Sequence, residues 1–96
     1  MGFRLTPKAE DDIIRIAETG TLLFGEAQAL TYHIELFEML ELISSNPRMA
    51  RERHEITPPV RVHPFKSHLI VYLLTEVDEI LVVRIRHSRE DWMEEL

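Results

Sequence analysis

The sequence VRVHPFKSHLIVYLLTEVDEILVVRIRH, residues 60–87, decides the fold class. It contains three runs rich in Val, Ile and Leu, at 60–65, 68–75 and 80–87, and apolar residues recur in them with the period of β-strands. The polar breaks between the runs are short. Because a parallel return needs a long crossover, such breaks favour antiparallel hairpins. Residues 60–87 therefore predict a three-stranded antiparallel meander.

Two amphipathic helices are predicted upstream of the meander. A short strand at 3–5 leads into the first helix, with Thr6 as N-cap, Pro7 at the first helical position and Gly25 placed to end it. The second helix follows Gly25 and stops at 44–47, where a proline disfavours helical geometry. The predicted apolar stripes are Ala9, Ile13, Ile16, Ala17, Gly20 and Leu23 in the first helix, and Leu30, Ile34, Phe37, Leu40 and Ile43, widened by Leu36, Met39 and Leu42, in the second. An α+β fold with a helical hairpin on one face of a small, mostly antiparallel sheet buries both stripes.

Size and composition exclude several classes of protein. The 96 residues suit one domain, expected to span 1–96. The sequence has no cysteine, so it has neither disulfides nor a thiolate metal site. No apolar run approaches the roughly 20 residues that cross a bilayer, and the N-terminus lacks an apolar signal segment. We expect a cytoplasmic protein with no membrane partner.

Charge is distributed unevenly along the chain. The formal net charge of -6 argues against a dedicated nucleic-acid binder. Residues 9–41 carry eight acidic residues against Arg15 alone, which predicts a solvated acidic helix face. Residues 61–89 are basic on balance. Strict alternation in 80–87 would place Ile80, Val82, Arg84 and Arg86 on one side of the strand and Leu81, Val83, Ile85 and His87 on the other, giving the strand a cationic end that favours partner binding.

Five segments, taken in order, resemble the ParE branch of the RelE/ParE toxin superfamily. They are LTPKAEDDI at 5–13, FGEAQA at 24–29, NPRM at 46–49, HLIVY at 68–72 and IRHSRED at 85–91. The resemblance covers nearly the whole chain. It implies a strand, a helical hairpin and a three-stranded meander, with a ParD-like antitoxin encoded beside the toxin and bound across it. It also implies DNA gyrase as the target of the ParE branch, contact with DNA only through the antitoxin, and no cofactor.

Two alternatives remain open, because fold does not determine function. RelE-like relatives cleave messenger RNA, which needs a proton-transfer group and cations for the phosphate. Arg61, Arg84, Arg86 and His87 form a partial set of this kind, but Ser88 stands where nuclease members often carry tyrosine. A degenerate member that binds antitoxin without toxicity is the other alternative.

The favoured hypothesis is a non-enzymatic toxin that binds its target through the basic C-terminal region. The residues expected to contact target or antitoxin are Arg61, Arg84, Arg86, His87, Arg89 and Trp92. Tyr72 is predicted to be a core aromatic residue with its hydroxyl at the edge. The five histidines lack the i, i+4 spacing of a helical zinc motif, so no metal site is predicted, although His63 and His68 flank one turn and could approach each other.

Overall fold

The computed structural model describes residues 2–89 and contains two helices and five strands. The elements are β1 (Phe3–Leu5), α1 (Pro7–Phe24), α2 (Glu26–Ser45), β2 (Glu52–Arg53), β3 (Val60–Phe65), β4 (His68–Leu74) and β5 (Ile80–His87). The strand order in the sheet is β1-β5-β4-β3-β2. Strands β3, β4 and β5 form the predicted antiparallel meander, and β1 adds to β5 in parallel. The predicted α+β class is confirmed.

Strand β2 was not predicted, because no strand or helix was expected between the end of the second helix and the meander. Glu52 and Arg53 pair with Arg61 and Val60 of β3. A strand of two residues is too short to produce a detectable period of two, so it leaves no signal in the sequence.

Both ends of α1 are fixed by residues that the sequence identifies. The Thr6 hydroxyl accepts a hydrogen bond from the Ala9 amide at 3.0 Å, as an N-cap does, and donates one to the Val83 carbonyl at 2.7 Å. Gly25 ends α1 with φ at 89°, and its N–H donates to the Thr21 carbonyl at 3.0 Å. Residues with a Cβ rarely adopt this φ, so glycine suits the joint. The same residue precedes the first turn of α2, and the two helices are therefore joined by a single residue.

The main core lies between the hairpin and one face of the sheet. Leu36, Leu40 and Ile43 of α2 pack with Ile70 and Tyr72 of β4 in one buried cluster. The predicted stripe of α2 was partly wrong, because Leu30 and Ile34 are exposed. Helix α2 carries two apolar stripes side by side, and only one of them can face the sheet.

A β-bulge corrects the predicted alternation of β5. Tyr72 lies opposite Val82, whereas Val71 lies opposite Arg84, so Val83 is an additional residue in β5. Val82 and Ile85 consequently both enter the main core, although strict alternation placed them on opposite faces. Beyond the bulge, the side chains of β5 therefore alternate one residue out of phase with the predicted alternation.

Asp12 of α1 is buried and occupies the edge of β5 beyond the point where β1 ends. Strand β1 pairs only with residues 80–82. The Asp12 carboxylate accepts a hydrogen bond from the Ile85 amide at 2.9 Å and two from the Arg84 guanidinium at 2.8 and 3.0 Å. The nearest guanidinium nitrogen of Arg86 is 4.0 Å from the same carboxylate. A charged side chain thus binds α1 to the sheet edge.

We expect Asp12→Ala to destabilise the fold by about 3–5 kcal/mol, because it leaves buried guanidinium groups without their carboxylate. Urea unfolding followed by circular dichroism measures this free energy. Asp11→Ala is the matched control, since Asp11 is the exposed neighbour, and it should change stability by less than about 0.5 kcal/mol. Equal stability of the two variants would contradict the role assigned to Asp12.

Candidate functional site

A cleft of about 690 Å³ lies between the helical hairpin and the end of the sheet. Both helices supply its apolar wall, and the β3–β4 turn and the end of β5 supply its polar rim. The apolar wall includes Ile13, Ile16, Leu23, Phe24, Ala29 and Leu36, and the polar rim includes Lys66, Ser67, His68, Arg86 and His87. Leu23 and Phe24 are largely exposed at the hairpin end of the wall. A cavity with this lining can receive an apolar segment of another molecule.

The two helices approach closely beside the cleft. A Cβ added to Gly20 would lie 3.5 Å from the Cβ of Ala29, which is ordinary van der Waals contact. Gly20 and Ala29, both small residues, are in contact where the two helices cross. The apolar wall of the cleft is therefore shared by both helices.

Lys66 places a cation on the rim of the cleft. It lies in the turn between β3 and β4 with φ at 53°, in the left-handed region. Its Nζ is 3.0 Å from the Glu35 carboxylate of α2 and 5.6 Å from the centre of the Tyr32 ring. Both members of this ion pair are substantially exposed, so the pair contributes little to stability and can open.

Two histidines face each other across β4 and β5 at the rim. His68 pairs with His87 in the strand register, and the ring centroids are 5.3 Å apart. The Tyr32 hydroxyl is hydrogen-bonded to Nδ1 of His68, and the Arg89 amide donates to Nδ1 of His87 at 3.2 Å. Burial raises the pKa of Tyr32, a shift opposed by hydrogen bonding to Ser67 and by the charge of Lys66.

The predicted contact residues occupy three different environments. The Arg84 and Arg86 side chains are only 12% and 7% exposed and face Asp12, so the end of β5 is less cationic on its surface than the sequence suggests. Arg61 lies apart from the cleft and donates to the Ala50 carbonyl at 2.6 Å. His87 lines the cleft and Arg89 is exposed just beyond it. Trp92 lies outside the described residues.

The buried position of Asp12 was not predicted, because Asp12 was counted among the acids of a solvated helix face. A usable signal existed, because Asp12 falls within the apolar spacing of Ala9, Ile13 and Ile16. The hydrogen bond between Tyr32 and His68 depends on tertiary packing, and no comparable signal in the sequence predicts it. Tyr72 matches its prediction, since it is buried and its hydroxyl donates to the Pro47 carbonyl at 2.9 Å.

His63 and His68 do not meet across their turn. The register places His63 opposite Ile70 and His68 opposite Phe65. Within residues 2–89, no group of three or more metal-ligating side chains is arranged to hold a metal ion. In the same part of the chain, neither helix combines the length and apolar character needed to cross a membrane.

A family model described as the ParE toxin of the type II toxin-antitoxin system parDE matches residues 3–92. The chain belongs to the ParE toxin family. It is 33% identical over 89 residues to proteins named "Toxin ParE1" in the CDC 1551 / Oshkosh and H37Rv strains of Mycobacterium tuberculosis. These alignments cover 93% of this chain and 91% of each relative.

A solved structure supports the fold of the ParE family for this chain. The structure titled "Chromosomal ParDE TA system from P. aeruginosa" superimposes with a TM-score of 0.79 at 21% identity. The superposition covers 93% of this chain and 97% of the other. The resemblance inferred from the five sequence segments is thus confirmed at the level of family and fold.

The two tyrosines give a testable dependence on pH. Burial raises the pKa of both Tyr32 and Tyr72 above the ordinary value of 10.0. Neutral tyrosine is therefore favoured in the folded state, and stability should fall as pH rises above about 10, where the unfolded chain ionises first. Absorbance titration near 295 nm should show tyrosine ionisation displaced above pH 10 in the native protein and restored to normal in denaturant. If the native and denatured proteins gave the same titration curve, burial would not raise the pKa of these tyrosines, and the prediction would be wrong.

Proposed function

We propose that this ParE-family toxin acts in the cytoplasm by binding and inhibiting DNA gyrase, and that a ParD-like antitoxin, which binds in the cleft, neutralises it. The observation that carries the proposal is the cleft itself, which lies between the hairpin and the sheet on a ParE-type fold. Members of the family model are toxins of parDE systems, and such a toxin needs a partner that holds it inactive.

The lining of the cleft favours a particular kind of antitoxin segment. Apolar side chains dominate the wall, and Leu23 remains 67% exposed, so a partner's apolar side chains would remove it from water. Lys66 supplies an exposed cation on the rim, together with the two histidines His68 and His87. A segment that alternates apolar and acidic side chains complements both features.

The arrangement of the arginines favours binding over catalysis. Cleavage of RNA would need cations directed at a phosphate. Arg84 and Arg86 instead face the buried Asp12 carboxylate, and Arg61 lies outside the cleft. We therefore favour a binding toxin, and we assign His87, Arg89 and the rim of the cleft to contact with the antitoxin.

Controlled expression in bacteria tests the proposed target. We expect growth arrest, inhibited gyrase supercoiling and intact transcripts, all reversed by co-expression of the product of the adjacent gene. Purified protein should also inhibit gyrase supercoiling in vitro, because the proposed contact with gyrase is direct. Cut transcripts with normal supercoiling would refute the gyrase proposal and assign the protein to the ribonuclease branch. Folded protein that leaves growth unaffected would indicate a degenerate member.

A matched pair of leucine variants tests the proposed antitoxin site. Leu23→Asp should weaken antitoxin binding by about tenfold or more, because it places a carboxylate in the apolar wall. Leu22→Asp should have little effect, since Leu22 is 87% exposed and does not line the cleft. Isothermal titration calorimetry with the purified antitoxin measures both affinities. Equal loss in both variants would count against the cleft as the binding site.

A further inference from the structure

The outward side of the hairpin carries a second apolar surface. Leu30 and Ile34 lie one turn apart on α2 and are 60% and 50% exposed, and Ile14 of α1 is 55% exposed. Because Gly20 meets Ala29 in the antiparallel hairpin, Ile14 lies near the level of Ile34 on the neighbouring helix. None of the three lines the cleft. We call Ile14, Leu30 and Ile34 the hairpin ridge.

Acidic side chains dominate the helices that carry the hairpin ridge. The exposed acids of α1 and α2 are Glu10, Asp11, Glu18, Glu26, Glu38 and Glu41. Within residues 2–89 none of them forms an ion pair, whereas Glu35 is engaged by Lys66. Lys8 and Arg15 are the lysine and arginine residues of these helices, so the exposed charge is strongly negative. An apolar ridge within a negative field favours a partner of opposite charge.

Charge complementarity distinguishes between the candidate occupants of the ridge. A second copy of the chain would bring two negative hairpins together, which opposes association. An acidic antitoxin segment suits the rim of the cleft, where the exposed Lys66 lies, and would be repelled by the ridge. A basic surface with exposed apolar groups satisfies both the charge and the hydrophobic contact. Proteins that bind DNA present basic surfaces.

We propose that the hairpin ridge is the surface through which the toxin binds a basic surface of its target. This inference rests on the proposed function, in which the target is the DNA-binding enzyme gyrase. It replaces the basic C-terminal region, which the sequence favoured for this contact, by the acidic hairpin. Antitoxin and target then bind different surfaces of the toxin, the cleft and the ridge.

The double variant Leu30→Ser/Ile34→Ser tests the ridge. Both side chains are exposed, so the variant should remain folded by circular dichroism, and it should bind the antitoxin within about twofold of the wild type. We expect it to lose growth arrest on induction and to bind gyrase at least about tenfold more weakly. Val77→Ser is the control, because Val77 is 79% exposed in the distant β4–β5 turn. It should retain toxicity.

A charge variant tests the predicted character of the partner. Glu38→Lys/Glu41→Lys should also reduce growth arrest, and gyrase binding by this variant should depend less steeply on salt than binding by the wild type, because fewer charge contacts remain. Equal salt dependence of the two proteins would refute a basic partner surface.

Growth arrest decides the assignment of the ridge even if the target is not gyrase. If the Leu30→Ser/Ile34→Ser variant arrests growth as strongly as the wild type at equal expression, the inference is overturned. Loss of antitoxin binding by this variant would also overturn it. A wild-type protein that fails to arrest growth would overturn it as well, since the ridge would then have no target. Wild-type arrest without inhibited supercoiling would refute only the gyrase proposal.

Discussion

The Asp12 carboxylate is the contact on which the arrangement of hairpin and sheet depends. Strand β1 protects only the first three residues of β5, and the Ile85 amide beyond them needs another acceptor. Asp12 supplies it from α1 and at the same time forms a bidentate pair with Arg84. Buried charges are costly unless they are paired and hydrogen-bonded, and this carboxylate meets both requirements. The position of α1 over the sheet edge, and with it one wall of the cleft, follows from this contact.

Much of the architecture was predictable because local signals agreed with the tertiary structure. Thr6, Pro7 and Gly25 mark the ends of α1 by their backbone chemistry alone, and the three runs in 60–87 became β3, β4 and β5. Strand β2 and the bulge at Val83 depend on pairing between strands, which leaves no trace in the sequence of either strand. The error in α2 has another cause. Its two apolar stripes are nearly equal in the sequence, and the choice between them is made by packing.

The candidate site was predicted less well than the fold, and the reason lies in charge pairing. Arg84 and Arg86 were interpreted as surface cations because their acidic partner comes more than seventy residues earlier in the chain. Composition along a segment cannot reveal such a partner. The cleft also depends on contacts between distant elements, since its rim joins the β3–β4 turn to the end of β5 and to α2. Sequence patterns within one element do not predict a cavity that α1, α2, the β3–β4 turn and β5 form together.

The one-residue joint at Gly25 fixes the rotation of α2 about its own axis. A longer loop would let this helix turn by a third of a revolution and exchange its inner and outer apolar rows, at little cost in local propensity. A connection of a single residue does not permit this rotation. The row of Leu36, Leu40 and Ile43 therefore always faces the interior, and the row of Leu30 and Ile34 always faces outward. The joint therefore makes the outer row a permanent surface of the fold rather than one of two interchangeable packings.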